Sequence, residues 1–223
     1  MKTYGIILAS GRSERFGGDI PKQFTLINGK TVLEHSLDAF EKNQHIDNII
    51  LVITPEYLEN AQKIVTDNNY KKVFKILKGG KTRKESSKIA VESIDENEAN
   101  VFIHDCARPF VSQKIIDDCI EALLENDAVC VAIPATDTIL EVQNGIIEQI
   151  PQRDKMWQAQ TPQCFKLSVI KKAHELSIND NNFTDDSGLV VKYGLAKVFI
   201  VEGSKKNLKI TYPNDLVIAQ NLC

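Results

Sequence analysis

Apolar residues recur along this chain in two alternating rhythms. Short runs of strand length, at residues 4–9, 49–54, 73–77, 101–104 and 128–134, are separated by stretches with the period of amphipathic helices, at 32–42, 56–68, 84–94 and 113–125. This alternation predicts right-handed crossovers and a doubly wound, mainly parallel, Rossmann-like α/β sheet with helices on both faces. In such sheets ligands sit beyond the carboxyl ends of the strands. One stretch breaks the rhythm. Residues 137–142 and 146–150 are short runs joined by Gln143-Asn144-Gly145, and Asn-Gly is a strong hairpin signal, so a β-hairpin is expected to project from the core. With no internal repeat, low-complexity tract or linker, residues 1–223 read as a single domain carrying an arm at about 136–158.

Composition narrows the classes. Hydrophobic residues make up 43% of the 223, enough for a core, and 26% are charged, which argues against disorder. The net charge of −3 lacks the basic excess of a nucleic-acid binder, while leaving room for a local cationic pocket. Five scattered cysteines (Cys106, Cys119, Cys130, Cys164, Cys223) form no C-x-x-C pair, so neither a disulfide framework nor a zinc site is expected and a reducing cytoplasm fits best. The N-terminal apolar run is too short for a membrane span, lacks a signal-peptide cleavage pattern and reads as the first strand, so no membrane partner is expected.

Candidate chemistry follows the strand ends. After the first strand comes a loop rich in small residues, Ala9-Ser10-Gly11, flanked by Arg15 and Lys22. Backbone N–H groups in such a loop can approach a phosphate or base closely, and the two cations could clamp developing phosphoryl charge. Taken alone, a loop of small residues with two basic neighbours reads first as a surface turn with two solvated charges. The loop is neither a Walker A nor a G-x-G-x-x-G fingerprint. Gly79-Gly80 through Arg83 to Ser86 follows the third strand, and His104-Asp105-Cys106-Ala107-Arg108-Pro109 the fourth. Asp105 is a candidate Mg²⁺ ligand in a nucleotide site, or an ordinary loop or capping carboxylate. Lys209 and Thr211 add a cation and a hydroxyl just before a final helix, where an exposed lysine is the common alternative.

Together these segments resemble a known family. The chain carries, in order, Ile7-Leu8-Ala9-Ser10-Gly11, Arg15, Pro21-Lys22-Gln23, the Gly79-to-Ser86 segment and His104–Pro109. Asp137-Thr138, Gln160-Thr161-Pro162-Gln163, Thr184-Asp185-Asp186 and Asn207-to-Thr211 follow. This order is similar to that of the 2-C-methyl-D-erythritol 4-phosphate cytidylyltransferases, from Ile6 to about Ala219. The resemblance implies a CTP-dependent enzyme that transfers CMP to a polyol phosphate, releases pyrophosphate, uses Mg²⁺ and serves isoprenoid precursor synthesis. It implies that Leu8, Ala9, Ser10 and Gly11 line the triphosphate and base, that Gly80 and Ser86 read cytosine, and that Arg83 and Cys106 belong to the nucleotide site. Asp105 would hold Mg²⁺ with the CTP phosphates. Arg15 and Lys22 would stabilise the reacting phosphoryl group, with Lys209 and Arg153 also in catalytic roles. Thr138 and Arg153 on the arm, with Lys209 and Thr211, would grip the substrate phosphate, supported by Thr161 and Thr184. The hairpin would be the arm of a homodimer with shared sites.

Elementary chemistry agrees with such a site. A phosphate monoester is already ionised near neutral pH, so attack on the α-phosphorus of CTP needs positioning and charge stabilisation rather than a covalent nucleophile or general base. His104 reads as structural. Cys106 stands where enzymes of this type usually carry Ala and ribitol-type ones Ser; it reads as a small buried residue, with a reactive thiol as the alternative. Residues 150–153 and Phe110 lean towards ribitol 5-phosphate, whereas residues 157–160 and 184–186 lean towards methylerythritol phosphate. A noncatalytic nucleotide-binding protein is the remaining alternative, and the missing G-x-G-x-x-G disfavours a dehydrogenase.

Overall fold

A computed structural model of the chain describes residues 1–11, 16–17, 20–178, 180, 183 and 185–222. Inside its main sheet lies β1 (Lys2–Ala9), a strand buried at every position after the first. It pairs in parallel with β4 (Asn48–Ile53) on one side and β6 (Ala99–Asp105) on the other. Successive side chains of a strand point to opposite faces, and the core divides accordingly. Ile7, Ala9, Leu51, Ile53 and Phe102 pack with α1 (Val32–Lys42), α2 (Leu58–Asp67) and α4 (Gln113–Glu125). Tyr4, Ile6, Leu8, Ile50, Val52, Val101 and Ile103 pack with α3 (Arg83–Glu92), α5 (Leu167–Leu176) and α6 (Asp186–Lys192). Two covered faces are why these strands read as unbroken apolar runs.

The seven strands lie in the order β11-β7-β10-β6-β1-β4-β5, where β5 is Val73–Lys78, β7 Ala128–Pro134, β10 Trp157–Lys166 and β11 Val198–Glu202. All pairings are parallel except those of β10, which runs antiparallel to both neighbours. The expected α/β sheet with helices on both faces is present. Local signals set the helix starts: Thr31 and Glu34 close a capping box on α1, and the Thr82 hydroxyl accepts the Glu85 N–H at 3.1 Å on α3. A short ribbon, β2 (Leu26–Ile27) with β3 (Lys30–Thr31), precedes α1, and α7 (Asn214–Gln220) closes the chain. Among the described residues no helix is long and apolar enough to cross a membrane.

The hairpin is β8 (Glu141–Gln143) and β9 (Ile146–Gln149), shorter than the sequence pattern suggests because β8 starts only at Glu141. Asn144 and Gly145 take φ of 52° and 80°, the left-handed pair that a tight two-residue turn requires. Every residue of both strands is exposed.

The last third departs most from the sequence pattern. Strand β10 is polar and contains Pro162, so nothing in its hydropathy marks a central strand. Its polar groups are nevertheless satisfied. The Thr161 hydroxyl accepts the Asp105 N–H at 3.1 Å and donates to His104 Nδ1 at 3.0 Å, and His104 Nε2 donates to the Arg108 carbonyl at 2.9 Å. These partners assign the proton to Nε2. Both ring nitrogens are thereby used inside the protein, the structural part expected of His104. Burial pushes its pKa from 6.5 down to about 4. The unfolded chain therefore takes up a proton that the folded one refuses, so this contribution to stability is complete above about pH 6.5 and is lost as pH falls towards 4. Urea unfolding of the native chain should show that fall. His104→Gln should be less stable at pH 7 but flatter across the same window; equal slopes would show that other groups set the acid response.

Candidate active site

Four segments meet beyond the carboxyl edge of the sheet: the end of β1, the turn after β5, the turn after β6 and the stretch between β11 and α7. The first two touch directly. Ser10 Oγ and Ser86 Oγ are 2.7 Å apart, Gly80 N donates to Ser86 Oγ at 3.1 Å, and the Ser86 hydroxyl donates to the Thr82 carbonyl at 2.9 Å. Ser10 is therefore the donor in the serine pair. The contact needs glycine at 79, where a Cβ would fall 2.3 Å from that of Ser10. Three residues expected at the nucleotide, Ser10, Gly80 and Ser86, thus form one hydrogen-bonded unit. Gly11 is exposed beside it, with none of the described residues crowding its α-carbon, while Leu8 and Ala9 are buried strand residues.

The third segment supplies the carboxylate. Asp105 ends β6, 8% exposed, and each oxygen carries a cation: Arg83 Nε donates to Oδ1 at 2.8 Å and Lys209 Nζ to Oδ2 at 2.6 Å. Burial alone would raise the pKa of this carboxyl, but Arg83 and Lys209 outweigh it and hold Asp105 well below the usual carboxylate range. Arg83 also donates through Nη1 to Asp186 Oδ2 at 2.6 Å, and its Nη2 is buried with no partner among the described residues.

The fourth segment ties in the loop cation. Lys22 Nζ donates to the Ile210 carbonyl at 3.2 Å, and Ile210 N donates to the Ala107 carbonyl at 2.8 Å, so Lys22 stands next to the backbone that carries Lys209. The Thr211 hydroxyl donates to the Lys209 carbonyl at 3.2 Å. Cys106 is 2% exposed; its N–H is given to the Leu8 carbonyl and its carbonyl accepts from Ser36. Burial pushes the thiol up to about 12, and the side chain sits as a small buried residue next to Asp105.

A cavity of about 210 Å³ opens beside Asp105, lined by Arg83, Arg108 and Lys209 as cations and Asp105 and Asp185 as carboxylates, with Gln160, Thr161 and Gln163. Excess positive charge among polar side chains suits an oxygen-rich anion. Arg108, Gln160, Gln163 and Asp185 were not singled out from the sequence. All four stand inside motif segments of the sequence, which is the signal that could have found them; Arg108 Nη1 and Nη2 hold the Asn207 and Ala159 carbonyls at 2.8 and 3.2 Å. Thr138 and Arg153 do not line this cavity. They stand at the base of the hairpin, both exposed, with Arg153 Nη1 3.4 Å from the Thr136 carbonyl. Arg15 and Thr184 lie outside the described residues.

Comparison with known proteins bears on the same residues. The family model of 2-C-methyl-D-erythritol 4-phosphate cytidylyltransferase matches residues 4–223. The protein of that description from Lachnospira eligens is 40% identical over 218 residues, covering 96% of each chain. A bifunctional ribulose 5-phosphate reductase/CDP-ribitol pyrophosphorylase from Haemophilus influenzae is 41% identical over 99% of this chain, which spans 48% of that relative. The crystal structure of the Francisella tularensis 2-C-methyl-D-erythritol 4-phosphate cytidylyltransferase is 35% identical, covers 100% of both chains and superimposes with a TM-score of 0.85. Motif order, sheet topology and whole-length similarity coincide, and the chain belongs to the 2-C-methyl-D-erythritol 4-phosphate cytidylyltransferase family.

Proposed function

We propose that this protein transfers the CMP part of CTP to the phosphate of 2-C-methyl-D-erythritol 4-phosphate and releases pyrophosphate. The observation that carries this reading is the ionised Asp105 carboxylate between Arg83 and Lys209, next to the Ser10–Gly80–Ser86 unit. A substrate phosphate oxygen forms a bond to the α-phosphorus while the bond from that phosphorus to the bridging oxygen breaks, and no proton need move. The work left to the protein is to hold two anions together and to receive the charge that shifts to the leaving group. Leu8, Ala9, Ser10 and Gly11 line the nucleotide, Gly80 and Ser86 read the cytosine edge, and Arg15, Lys22 and Lys209 stabilise phosphoryl charge. Thr211 and Lys209 take the substrate's phosphate, with Thr161 and Thr184 supporting them.

Asp105 is the residue that would hold Mg²⁺. Among the described residues no group of three or more His, Cys, Asp or Glu forms a metal cage, but Mg²⁺ is commonly held by one or two carboxylates together with substrate phosphates, and each Asp105 oxygen has a second lone pair beside the cation it already carries. When bound, the ion would neutralise charge on the triphosphate.

The arm supports a homodimer in which each hairpin serves the neighbour's site. Leu140, Val142, Ile146, Ile147 and Ile150 are 45–70% exposed on a two-stranded ribbon that would be marginal alone. On this reading residues 1–223 are one domain with an arm at about 136–158, and Thr138 and Arg153 reach a substrate phosphate across the interface. Four buried free thiols, Cys106, Cys119, Cys130 and Cys164, support a reducing, cytoplasmic setting. The CDP-ribitol relative keeps ribitol 5-phosphate as a second reading of the acceptor.

Turnover with each acceptor decides between them. The expected result is a clearly higher kcat/KM with methylerythritol phosphate than with ribitol 5-phosphate, and with CTP than with ATP or GTP; equal use of ATP would sink the cytosine-reading role of Gly80 and Ser86. Lys22→Ala should lower kcat by about 10²–10³ with a much smaller change in CTP affinity, and Asp105→Asn should raise the Mg²⁺ requirement or abolish turnover. Near-normal kcat in the first would make Lys22 an ordinary cation. Unchanged Mg²⁺ dependence in the second would move the metal to another carboxylate. The shared site is checked by mixing. Lys22→Ala and Arg153→Ala proteins, each nearly inactive, should regain activity once subunits exchange, because one site in each heterodimer then carries neither change. A mixture that stays inactive after confirmed exchange would place Arg153 in its own chain's site.

A further inference from the structure

Arg83 and Ser87 stand four residues apart on α3 and so share a face. That face meets the first residue of α6, Asp186, whose carboxylate is 1% exposed. One oxygen, Oδ2, takes Arg83 Nη1 at 2.6 Å, and the other, Oδ1, takes the Ser87 hydroxyl at 2.6 Å. His174 Nε2 lies 3.2 Å from Ser87 Oγ and 3.5 Å from Asp186 Oδ1, so with its proton on Nε2 it donates to the serine oxygen from behind. The Asp186 and Ser187 N–H groups are fixed in turn by Gln163 Oε1 at 2.9 and 3.1 Å. Burial would raise the Asp186 pKa, but Arg83 outweighs it and brings it down to about 2, so the carboxylate is ionised at neutral pH.

The guanidinium plane of Arg83 is therefore clamped between two carboxylates from separate segments, Asp105 at Nε and Asp186 at Nη1. Its remaining nitrogen, Nη2, is buried without a partner among the described residues, on a side chain that lines the cavity. A buried donor left unpaired is destabilising, and an anionic oxygen is the partner that offsets this best. We infer that Asp186, braced by Ser87 and His174, is a positioning residue of the reaction: it fixes the Arg83 guanidinium so that Nη2 meets an oxygen of the bound nucleotide. This rests on the nucleotide reading of the site given above. A plain structural tie between α3 and α6 would use the same carboxylate but would have no reason to act through Arg83.

The test is a double-mutant cycle on CTP turnover. Asp186→Asn keeps the volume and one acceptor and removes the charge. It should lower kcat/KM for CTP by about 10²-fold, while the same substitution in an Arg83→Ala background should change it less than about twofold, because the group it positions is gone. Losses that multiply in the double variant would overturn the inference. If Asp186→Asn does not fold, Ser87→Ala, which loosens the same carboxylate, serves in the same cycle, with the same two outcomes. A native protein with no CTP turnover at all would refute the transfer reading and not the brace. The brace then stands on the Arg83 side-chain NMR signals: separate, slowly exchanging Nη–H resonances in the native protein that merge in the variant support it, and signals unchanged by the substitution overturn it.

Discussion

The Asp105 carboxylate, with a cation on each oxygen, is the interaction around which the site is arranged. Arg83 comes from the start of α3, Asp105 from the end of β6 and Lys209 from the stretch before α7, so one charged cluster joins segments far apart in sequence. Removing one partner of a buried ion pair costs about 3–5 kcal/mol, because the remaining charge is left in a poor solvent. That figure suits Arg83, whose side chain is 23% exposed, better than Lys209 at 37%, where water shares the load. The consequence is geometric. These loops cannot drift apart independently, and the cavity's charges are set before any ligand enters.

What fixes the cluster from behind is β10. Gln160 uses both ends of its amide on the stretch that leads to Lys209: its Nε2 donates to the Ser204 carbonyl at 2.9 Å, and its Oε1 accepts from Asn207 Nδ2 at 3.1 Å. Three residues on, Gln163 takes the first N–H groups of α6 on Oε1 and donates to Asp185 Oδ2 at 2.8 Å, setting the helix that carries Asp186. Between them, Thr161 holds the Asp105 N–H. One strand thus sets the approach of Lys209, Asp105 and, through Asp186, Arg83.

The same residues explain where the sequence was silent. β1, β4, β6 and β7 were legible because two-sided burial writes continuous apolar runs, the edge strand β5 was legible from its short apolar run alone, and hydroxyl caps mark the starts of α1, α3 and α4. β10 was not. A strand that buries Gln160, Thr161 and Gln163 ahead of Cys164 and Phe165 has too short an apolar run to stand out in its hydropathy, and only partners supplied by distant segments make those polar groups tolerable in the interior. β11 is a short edge strand with Phe199 and Ile200 exposed, so burial leaves no two-sided pattern on it. Within the site, residues in recognisable motifs, such as Ser10, Gly80, Asp105 and Lys209, could be named from the sequence. Asp186 could not be given a role, because a carboxylate's function depends on which cation reaches it, and Arg83 is 103 residues away.

The arm raises a different constraint. The cavity brings its own cations to one anionic ligand, yet the proposed reaction holds two, and the second phosphate needs charge of its own. Arg153 stands outside the cavity, its Nη1 at a long 3.4 Å from the Thr136 carbonyl. The ribbon between Thr138 and Arg153 exposes Val142, Ile146 and Ile147, and among the described residues its two strands pair only with each other. An apolar ribbon of this size gains stability only against another surface. On the proposed reading, a partner subunit meets both needs at once: it covers the ribbon, and the same docking carries Thr138 and Arg153 to the place where the cavity's cations run out. Dimer formation and acceptor binding would then be coupled through one hairpin, which is a stronger constraint on the arm than either would impose alone.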